Sequence, residues 1–423
     1  MLIKSILVIY FIVQEVFHFY LNSLRDKQRK MPLPKEVSDI YDKKRYQEFL
    51  AYKSEYRALS YKSEIASIGI DLFVLFSPFF KWMEAFHNVY VTLFVTVLTI
   101  SGLTMILNYV VEYYATFHIE EKFGMNKKTI QEFNKDFILE VLLDLLMEFV
   151  LFGVMVFFCE HIVEWTNSFN ITYIQSFFFV LVILLVFVLL FFVFMVLSLF
   201  VMMKQYTFTD LEYEELLSEI QRMMTGVKKK IKGIKVYNES KKSTTKNAFV
   251  LAIPFYRIVG IADNFLNENS KRELYGVLAH EIGHLKHKKD IFNYIKYTFL
   301  AILIVLLIWM IPNGMLIKEW ATFVNGQFGL QESSYYLYFM LAGFVLEPFM
   351  FLFSIYNNYV VRREEYEADQ NAVKEGYGED LIRLFKNLSR DELVDVNPHP
   401  FIECLEYNHP GMYRRILGLK KAR

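Results

Sequence analysis

The sequence predicts a mainly α-helical protein that crosses a membrane about seven times and carries a smaller α+β portion in its polar segments. Hydrophobic residues make up 54% of the 423 residues, which is more than is usual for a soluble globular domain. These residues lie in runs of about 20, the length of helix that crosses the hydrocarbon core of a bilayer. The 46 basic and 46 acidic side chains balance, so the net charge does not indicate a nucleic-acid partner.

Seven stretches are long and apolar enough to span a membrane, and charged residues interrupt the second and the fourth. The first is followed by a basic segment and lacks a small-residue cleavage site, so we predict a span and not a signal peptide. The spans are at about 3–22, 66–86, 88–112, 137–159, 171–203, 291–312 and 333–358. They divide the chain into five spans with their loops (1–203), a polar segment (204–290), two further spans (291–358) and a polar tail (359–423).

Lysine and arginine alternate between the loops and predict the orientation. The loop 23–65 holds 11 basic residues, 113–136 holds four, 204–290 holds 16 and the tail from 359 holds 11. The connections between these loops are poor in basic residues. The connection between the second and third spans has only Lys81, residues 160–170 have none, and residues 313–332 have only Lys318. Because basic loops stay in the cytosol, we expect a lumenal N-terminus and a cytosolic C-terminus.

Polar side chains also recur inside the spans. Glu140, Asp144 and Glu148 are four residues apart and give the fourth span one acidic face. Charges that face lipid are costly, so these carboxylates should face the interior of the helix bundle. That interior is either a hydrated cavity or a solid bundle joined by hydrogen bonds between helices, and the residues alone favour neither.

The segment "YGVLAHEIGHLKHKKD" contains the pattern H-E-x-x-H at His280, Glu281 and His284. Apolar residues at three- and four-residue spacing predict a helix here, which places the two imidazoles on one face. Two such imidazoles can bind one Zn²⁺, and Glu281 can take a proton from a water at the metal. His287 lies about 10 Å along the helix from His280, too far to share that ion easily.

A catalytic zinc needs a third protein ligand, and the segment after the seventh span supplies candidates. In "NNYVVRREEYEADQNAV", Glu365 and Asp369 are four residues apart and share a helix face. Glu365 could bind the metal while Asp369 hydrogen-bonds a ligand histidine; the alternative is an acidic helix face in water. The short connection between the sixth and seventh spans should bring both segments together at the cytosolic membrane surface.

Together these features resemble the type I CAAX prenyl proteases, a eukaryotic family of integral-membrane zinc metalloproteases. The resemblance covers nearly the whole chain and includes "ATFHIEEKFGMNKKT", "KNAFV", "LAHEIGHLKH", "RREEYEAD" and "YNHPGMYRRI". It implies seven helices around a large chamber, with a small cytosolic α+β zinc-metalloprotease domain. It implies one Zn²⁺ per chain held by His280, His284 and Glu365, with Glu281 as general base and Asp369 hydrogen-bonded to a ligand.

The resemblance also assigns roles to residues outside these motifs. Asn247 and Ala248 match the strand that aligns a peptide substrate, and "NAFVLAIPFYRIVGIAD" is by itself typical of a β-hairpin that turns at Pro254. His409 and Arg415 match residues that engage the substrate or the developing oxyanion, although the neighbouring Arg414 is also available. His399, in a second His-Pro pair, is interpreted as a loop residue.

The predicted function is therefore removal of the last three residues from prenylated proteins that end in Cys-aliphatic-aliphatic-any residue. The expected location is the endoplasmic reticulum membrane, with the nuclear envelope as an alternative, and the expected partners are farnesylated substrates and the lipid bilayer. A broader quality-control zinc protease of membranes would use the same residues. The non-enzymatic alternative is a seven-span receptor or transporter in which the H-E-x-x-H pattern is accidental.

Overall fold

The computed structural model describes residues 2–168, 173–225, 227, 231–253, 256–286, 315–331 and 334–422. The N-terminal half is almost entirely helical, as the long apolar runs predict. Its helices are α1 (Leu2–Arg29), α2 (Lys43–Phe76), α3 (Phe79–Met83), α4 (Val89–Tyr114), α5 (Ile130–Ser168) and α6 (Tyr173–Lys204). A π-helical turn extends α4 over Ala115–Glu120.

Helices coincide with all the predicted spans that fall in the described part of the chain. Within the described ranges, four helices are long and apolar enough to cross a membrane, and α2 with the segment after it makes a fifth if this bent pair is one span. The predicted span 171–203 coincides with α6. The predicted span 291–312 lies outside the described residues. The helices extend beyond the predicted ends because hydropathy marks only the part of a helix that meets hydrocarbon.

The predicted span 66–86 is one continuous stretch in the sequence but is broken in the structure. Helix α2 ends at Phe76, and the chain bends by 61° into the segment Phe79–Phe86. Ser77 adopts an extended backbone (φ −73°, ψ 166°) immediately before Pro78. A proline disfavours helical geometry in the residue before it and cannot donate a backbone hydrogen bond, which accounts for the break.

The acidic face of α5 lies opposite its apolar face. Leu142 and Leu146 are highly exposed on one side, as expected of side chains that meet lipid. On the other side Glu140 accepts a hydrogen bond from Gln205 (2.8 Å) and Glu148 accepts one from Ser101. Hydrogen bonds between helices are thus present, yet Glu140 and Asp144 remain exposed. An accessible space therefore adjoins this acidic face, away from the lipid-facing side.

The polar segment after α6 forms the α+β portion. Its sheet has the order β1-β2-β4-β3; β2 and β4 are parallel, and the other two pairs are antiparallel. The predicted hairpin is confirmed as β3 and β4, with Pro254 itself outside the described residues. The elements are β1 (Phe208–Asp210), α7 (Glu214–Met223), β2 (Gly233–Tyr237), β3 (Ala248–Ile253), β4 (Tyr256–Ala262), α8 (Asp263–Glu268) and α9 (Lys271–Lys286).

The last third of the chain combines a membrane helix with further helices that pack with the α+β portion. It contains α10 (Met315–Phe328), α11 (Tyr335–Lys374), α12 (Gly378–Asp391), α13 (Pro400–Glu406) and α14 (Met412–Lys421). Helix α10 lies in the predicted lumenal connection and was not expected from the sequence. Its buried Val324 packs in one apolar cluster with Leu7, Leu75 and Phe80 of the first membrane helices.

One large apolar core joins the sheet to α9, α12 and α14. The loop between α1 and α2 also enters it, through the buried Val37, Ile40 and Tyr41. The Tyr41 hydroxyl donates to the backbone carbonyl of Ser389 (2.6 Å). The loop between α1 and α2 is therefore part of the core that supports α9.

Candidate metal centre

Helix α9 carries the H-E-x-x-H motif and confirms the predicted helix. It begins with a capping box: the Glu273 carboxylate accepts from the Ser270 backbone (3.0 Å), and Ser270 Oγ accepts from the Glu273 backbone (3.3 Å). Its apolar residues Leu274, Leu278 and Ile282 are buried in the main core. The polar side chains of the motif consequently face the other way, toward α11.

Helices α9 and α11 cross at very close range at a glycine. A Cβ atom on Gly283 would lie 2.8 Å from the Cα of Ala368, so only glycine fits at this position without movement of a helix. The contact is locked by Asn371, whose side-chain amide donates to the carbonyl of Ala279 (2.6 Å). This approach brings the acidic side chains of α11 within reach of the histidines on α9.

The two histidines and Glu365 converge. Glu365 Oε2 lies 3.5 Å from His280 Nε2, and Glu365 Oε1 lies 3.3 Å from His284 Nε2. One ligand atom from each residue lies within 4.8 Å of the others. Glu365 Oε2 is buried and accepts no hydrogen bond. Two imidazole nitrogens and an unsatisfied carboxylate oxygen at this spacing fit the donor set of a catalytic zinc.

A buried pair of charges holds this ligand set in place. Asp369 Oδ1 lies 2.9 Å from His280 Nδ1, which leaves Nε2 of that ring facing Glu365. Arg415 donates two hydrogen bonds to Asp369, from Nε (3.0 Å) and Nη2 (2.7 Å), and its Nη2 also lies 3.4 Å from Glu365 Oε2. Asp369 and Arg415 are 2% and 5% exposed, so this paired arrangement is shielded from solvent.

Glu281 and His409 are the more accessible polar groups at the centre. Glu281 is partly buried, and this burial raises the pKa of its carboxyl against the opposing effect of His280 and His284. The side chain of His409 is 57% exposed, and its Nε2 lies 3.4 Å from Glu365 Oε1. The imidazole therefore borders the ligand set from the solvent side.

The structure separates the two neighbouring arginines. Arg415 points into the centre, whereas Arg414 Nε lies 3.3 Å from the buried carboxylate of Glu403. The family resemblance implies a direct role for Arg415 at the substrate or the oxyanion. Its side chain is only 6% exposed and is engaged by Asp369, so its geometry favours positioning of the ligands.

One residue of the centre's support was missed from the sequence. Arg362, one turn before Glu365 on α11, donates to the backbone carbonyls of Glu403 (2.9 Å) and Tyr407 at the end of α13. This contact fixes the chain just before His409. Its three-residue spacing from Glu365 was an available signal, because residues three apart share a helix face.

The remaining candidates lie at the periphery. Ala248 begins β3, the edge strand of the sheet, which contacts α9; the exposed Asn247 precedes it and accepts a backbone hydrogen bond from Ala262 (2.9 Å). His399 caps α13 by accepting from the backbone of Phe401 (3.2 Å). His287 lies outside the described residues.

Comparisons with known proteins agree with this geometry. Residues 23–207 match the family model described as CAAX prenyl protease N-terminal, five membrane helices, and residues 210–423 match peptidase family M48. A CAAX prenyl protease 1 homolog of Arabidopsis thaliana is 23% identical over 97% of this chain and 96% of its own length. CAAX prenyl protease 1 of Saccharomyces cerevisiae is 26% identical over 76% of this chain and 70% of its own.

The fold agrees as well. The crystal structure of S. mikatae Ste24p superposes with a TM-score of 0.81 and 24% identity, covering 99% of each chain. The two family matches together cover both the membrane helices and the segments that carry the metal centre. The chain therefore belongs to the CAAX prenyl protease family, within peptidase family M48.

Proposed function

We propose that this chain is a zinc metalloendopeptidase that removes the last three residues from prenylated proteins ending in Cys-aliphatic-aliphatic-any residue. The observation that carries the proposal is the convergence of His280, His284 and Glu365 beside Glu281, on two helices that belong to a membrane protein. Family membership and the names of the relatives support the substrate class.

The proposed cofactor is one catalytic Zn²⁺ per chain, held by His280, His284 and Glu365. When bound, it supplies Lewis-acid polarisation of the scissile carbonyl and of the attacking water. Glu281 is the general base: its carboxylate accepts a proton from the water and returns it to the amine of the leaving tripeptide.

The other polar groups divide into those that touch substrate and those that act through a ligand. His409 is exposed beside the ligand set, so its imidazole can donate to the oxygen of the tetrahedral intermediate. Asp369 orients the His280 ring, and Arg415 holds Asp369 while its positive charge offsets the buried carboxylates. Arg415 and Asp369 are thus positioning residues.

The edge strand β3 is the proposed binding site of the peptide. An extended peptide can add to a free sheet edge through main-chain hydrogen bonds, and Asn247 and Ala248 lie where that edge begins. The accessible acidic face of α5 indicates a hydrated chamber between the helices, as the family resemblance implies. Walls of membrane helices suit a lipidated tail, since each buried CH₂ of a prenyl chain contributes about 0.8 kcal/mol.

The test is cleavage of a farnesylated peptide by the purified full-length protein, before and after a chelator and after zinc is restored. We expect cleavage to stop with the chelator and to return with zinc. Glu281→Gln should abolish cleavage but retain zinc, whereas Glu367→Gln, on an exposed position of α11, should behave as wild type. Cleavage that is indifferent to both chelator and Glu281→Gln would overturn the proposal.

A second cleavage assay tests how broad the substrate range is. Equal cleavage of an unprenylated, unfolded protein would favour the broader quality-control activity.

We further propose that the chain resides in the endoplasmic reticulum membrane with its N-terminus in the lumen, supported by the alternation of basic loops. Protease accessibility of terminal tags in sealed microsomes tests this: only the C-terminal tag should be digested.

A further inference from the structure

A second set of metal-ligating side chains lies between the first two helices, away from the catalytic centre. Glu15 and His18 of α1 and Glu64 of α2 each place one ligand atom within 4.8 Å of the others. His18 Nδ1 lies 3.3 Å from Glu64 Oε1. The catalytic ligands show the same spacing, 3.3 to 3.5 Å between histidine and carboxylate atoms.

The distance between His18 and Glu64 is the one that metal coordination requires. Ligand atoms about 2.1 Å from a tetrahedral ion are about 3.4 Å from one another. Glu15 and His18 form the pattern Glu-x-x-His, whose members share a helix face; the same pattern supplies ligands from inward-facing helices in metal-binding bundles. Glu64 completes a set of one imidazole and two carboxylates, a mixture suited to Zn²⁺.

Glu15 and His18 lie on the side of α1 that faces other helices, and Glu64 reaches them from α2. One turn after His18, Asn22 donates to Tyr61 of α2 (3.0 Å), and one turn before it, Gln14 donates to Glu347 of α11 (2.8 Å). The lipid side of α1 is marked instead by exposed apolar residues such as Val13 and Val16. The cluster therefore borders the interior of the bundle.

The negative charge of the cluster is at most partly compensated by protein, through His18 beside Glu64. Among the described residues, neither Glu15 nor Glu64 has a lysine or arginine within ion-pair distance. His18 Nδ1 and Glu64 Oε2 are inaccessible to solvent and make no hydrogen bond. Two neighbouring carboxylates with one imidazole carry net negative charge even when the imidazole is protonated. Because His18 Nδ1 and Glu64 Oε2 are shielded from water, the net negative charge of the group is costly unless a cation neutralises it.

We infer that Glu15, His18 and Glu64 form a second divalent-cation site, for Zn²⁺, in addition to the catalytic one. It is a separate site. Glu347, which is bonded to Gln14 near the cluster, precedes Glu365 by 18 residues on α11, about 27 Å along the helix at 1.5 Å per residue. The ion joins α1 to α2, the helices whose connecting loop enters the core under α9.

The test counts metal ions in the purified full-length protein. Metal is removed with a chelator, Zn²⁺ or Co²⁺ is added back, excess is removed by gel filtration, and bound metal per chain is measured by elemental analysis. We expect two ions in the wild type, one in His18→Ala, one in His284→Ala, and none in the double variant. His161→Ala, a histidine on α5 that contacts the Phe157 carbonyl, is the matched control and should keep two.

Each outcome decides the inference independently of the catalytic proposal. One ion in the wild type and none in His284→Ala would overturn the second site and leave the catalytic one intact. An unchanged count in His18→Ala would also overturn it. Glu64→Gln retains the side-chain size and must likewise lose one ion, which keeps the inference testable if His18→Ala does not fold. Co²⁺ bound to His284→Ala should give a visible absorption band that disappears when His18 is also replaced.

Discussion

The two halves of α11 differ in which side chains they expose: the membrane half exposes large apolar residues, whereas the polar half buries acidic ones. In the membrane half, Val345 and Leu352 are exposed, at 66% and 64%, while in the polar half Glu365 and Asp369 are buried, at 4% and 2%. The helix is continuous over both halves, so backbone propensity does not distinguish them. The difference is the surroundings. The exposed side of the first half is apolar and suits lipid, whereas α9 and α14 supply the second with histidines and an arginine that pair with its carboxylates.

The largest effect is expected when the polar half of α11 loses its proposed metal ligand, Glu365. Glu365→Gln removes the negative charge that faces both histidines, so zinc should be lost and cleavage of a farnesylated peptide should fall by at least about 10³-fold, or about 4 kcal/mol of barrier. Elemental analysis and a peptide assay measure this. Glu364→Gln, at the neighbouring position, is the control. A Glu365→Gln enzyme with normal zinc and activity would show that α11 supplies no ligand.

A charge in the membrane half should reduce membrane insertion or folding, and so the amount of protein, before catalysis can be measured. Val345→Lys places an ammonium group in lipid, at a cost of about 2.5 to 3.5 kcal/mol at the centre of a span. We expect a clear loss of protein recovered from membranes, whereas Val345→Leu should be recovered normally. If Val345→Lys is recovered as well as the wild type, Val345 faces water and the assignment of this half to lipid is wrong.

The pairing of charges in the polar half of α11 predicts an intermediate effect. Asp369→Asn keeps the shape but removes the charge that orients His280 and neutralises Arg415, so zinc affinity should fall about 10- to 100-fold. Competition with a zinc-binding dye measures the affinity. Glu367→Gln on an exposed position of the same helix should leave it unchanged. Equal affinity in Asp369→Asn would mean that the hydrogen bond to His280 does not support the metal.

The smallest expected effect concerns an ion pair in the supporting layer. Glu219 on α7 accepts hydrogen bonds from Arg222 and Tyr377, and the bond from Arg222 lowers the pKa of this carboxyl. The folded state therefore holds the charged form more tightly than the unfolded state. The resulting stability is present above the unfolded pKa, about 4.3, and is lost as the pH falls through the lower folded pKa. Thermal unfolding between pH 3 and 7 should be less pH-dependent in Glu219→Gln; an identical profile would contradict this.

The sequence predicted local features better than long-range ones. The H-E-x-x-H helix, the hairpin of β3 and β4 and the apolar spans each depend on residues a few positions apart, and helices and strands occur there in the described residues. The convergence of Glu365 with α9 required a guess about connections, and the structure brings them together through the close contact of Gly283 with Ala368. The break at Pro78 was missed because hydropathy averages over it.

Other contacts could not be found from sequence patterns. The bond between Arg362 and the carbonyls at the end of α13 joins residues that are about 40 positions apart, and a backbone acceptor has no sequence signature. The ligand set of Glu15, His18 and Glu64 also needs two helices in register. Apolar periodicity predicts which face of a helix is buried, but it does not predict which polar groups meet on the opposite face.

X-ray absorption at the zinc edge tests the central claim most directly. His18→Ala should be used, so that a single ion is observed, and compared with the same protein carrying His284→Ala. The account predicts zinc bound to two imidazoles and carboxylate or water oxygens at about 2.0 to 2.2 Å, and no bound zinc when His284 is also replaced. A spectrum dominated by sulfur, or one that His284→Ala leaves unchanged, would contradict it.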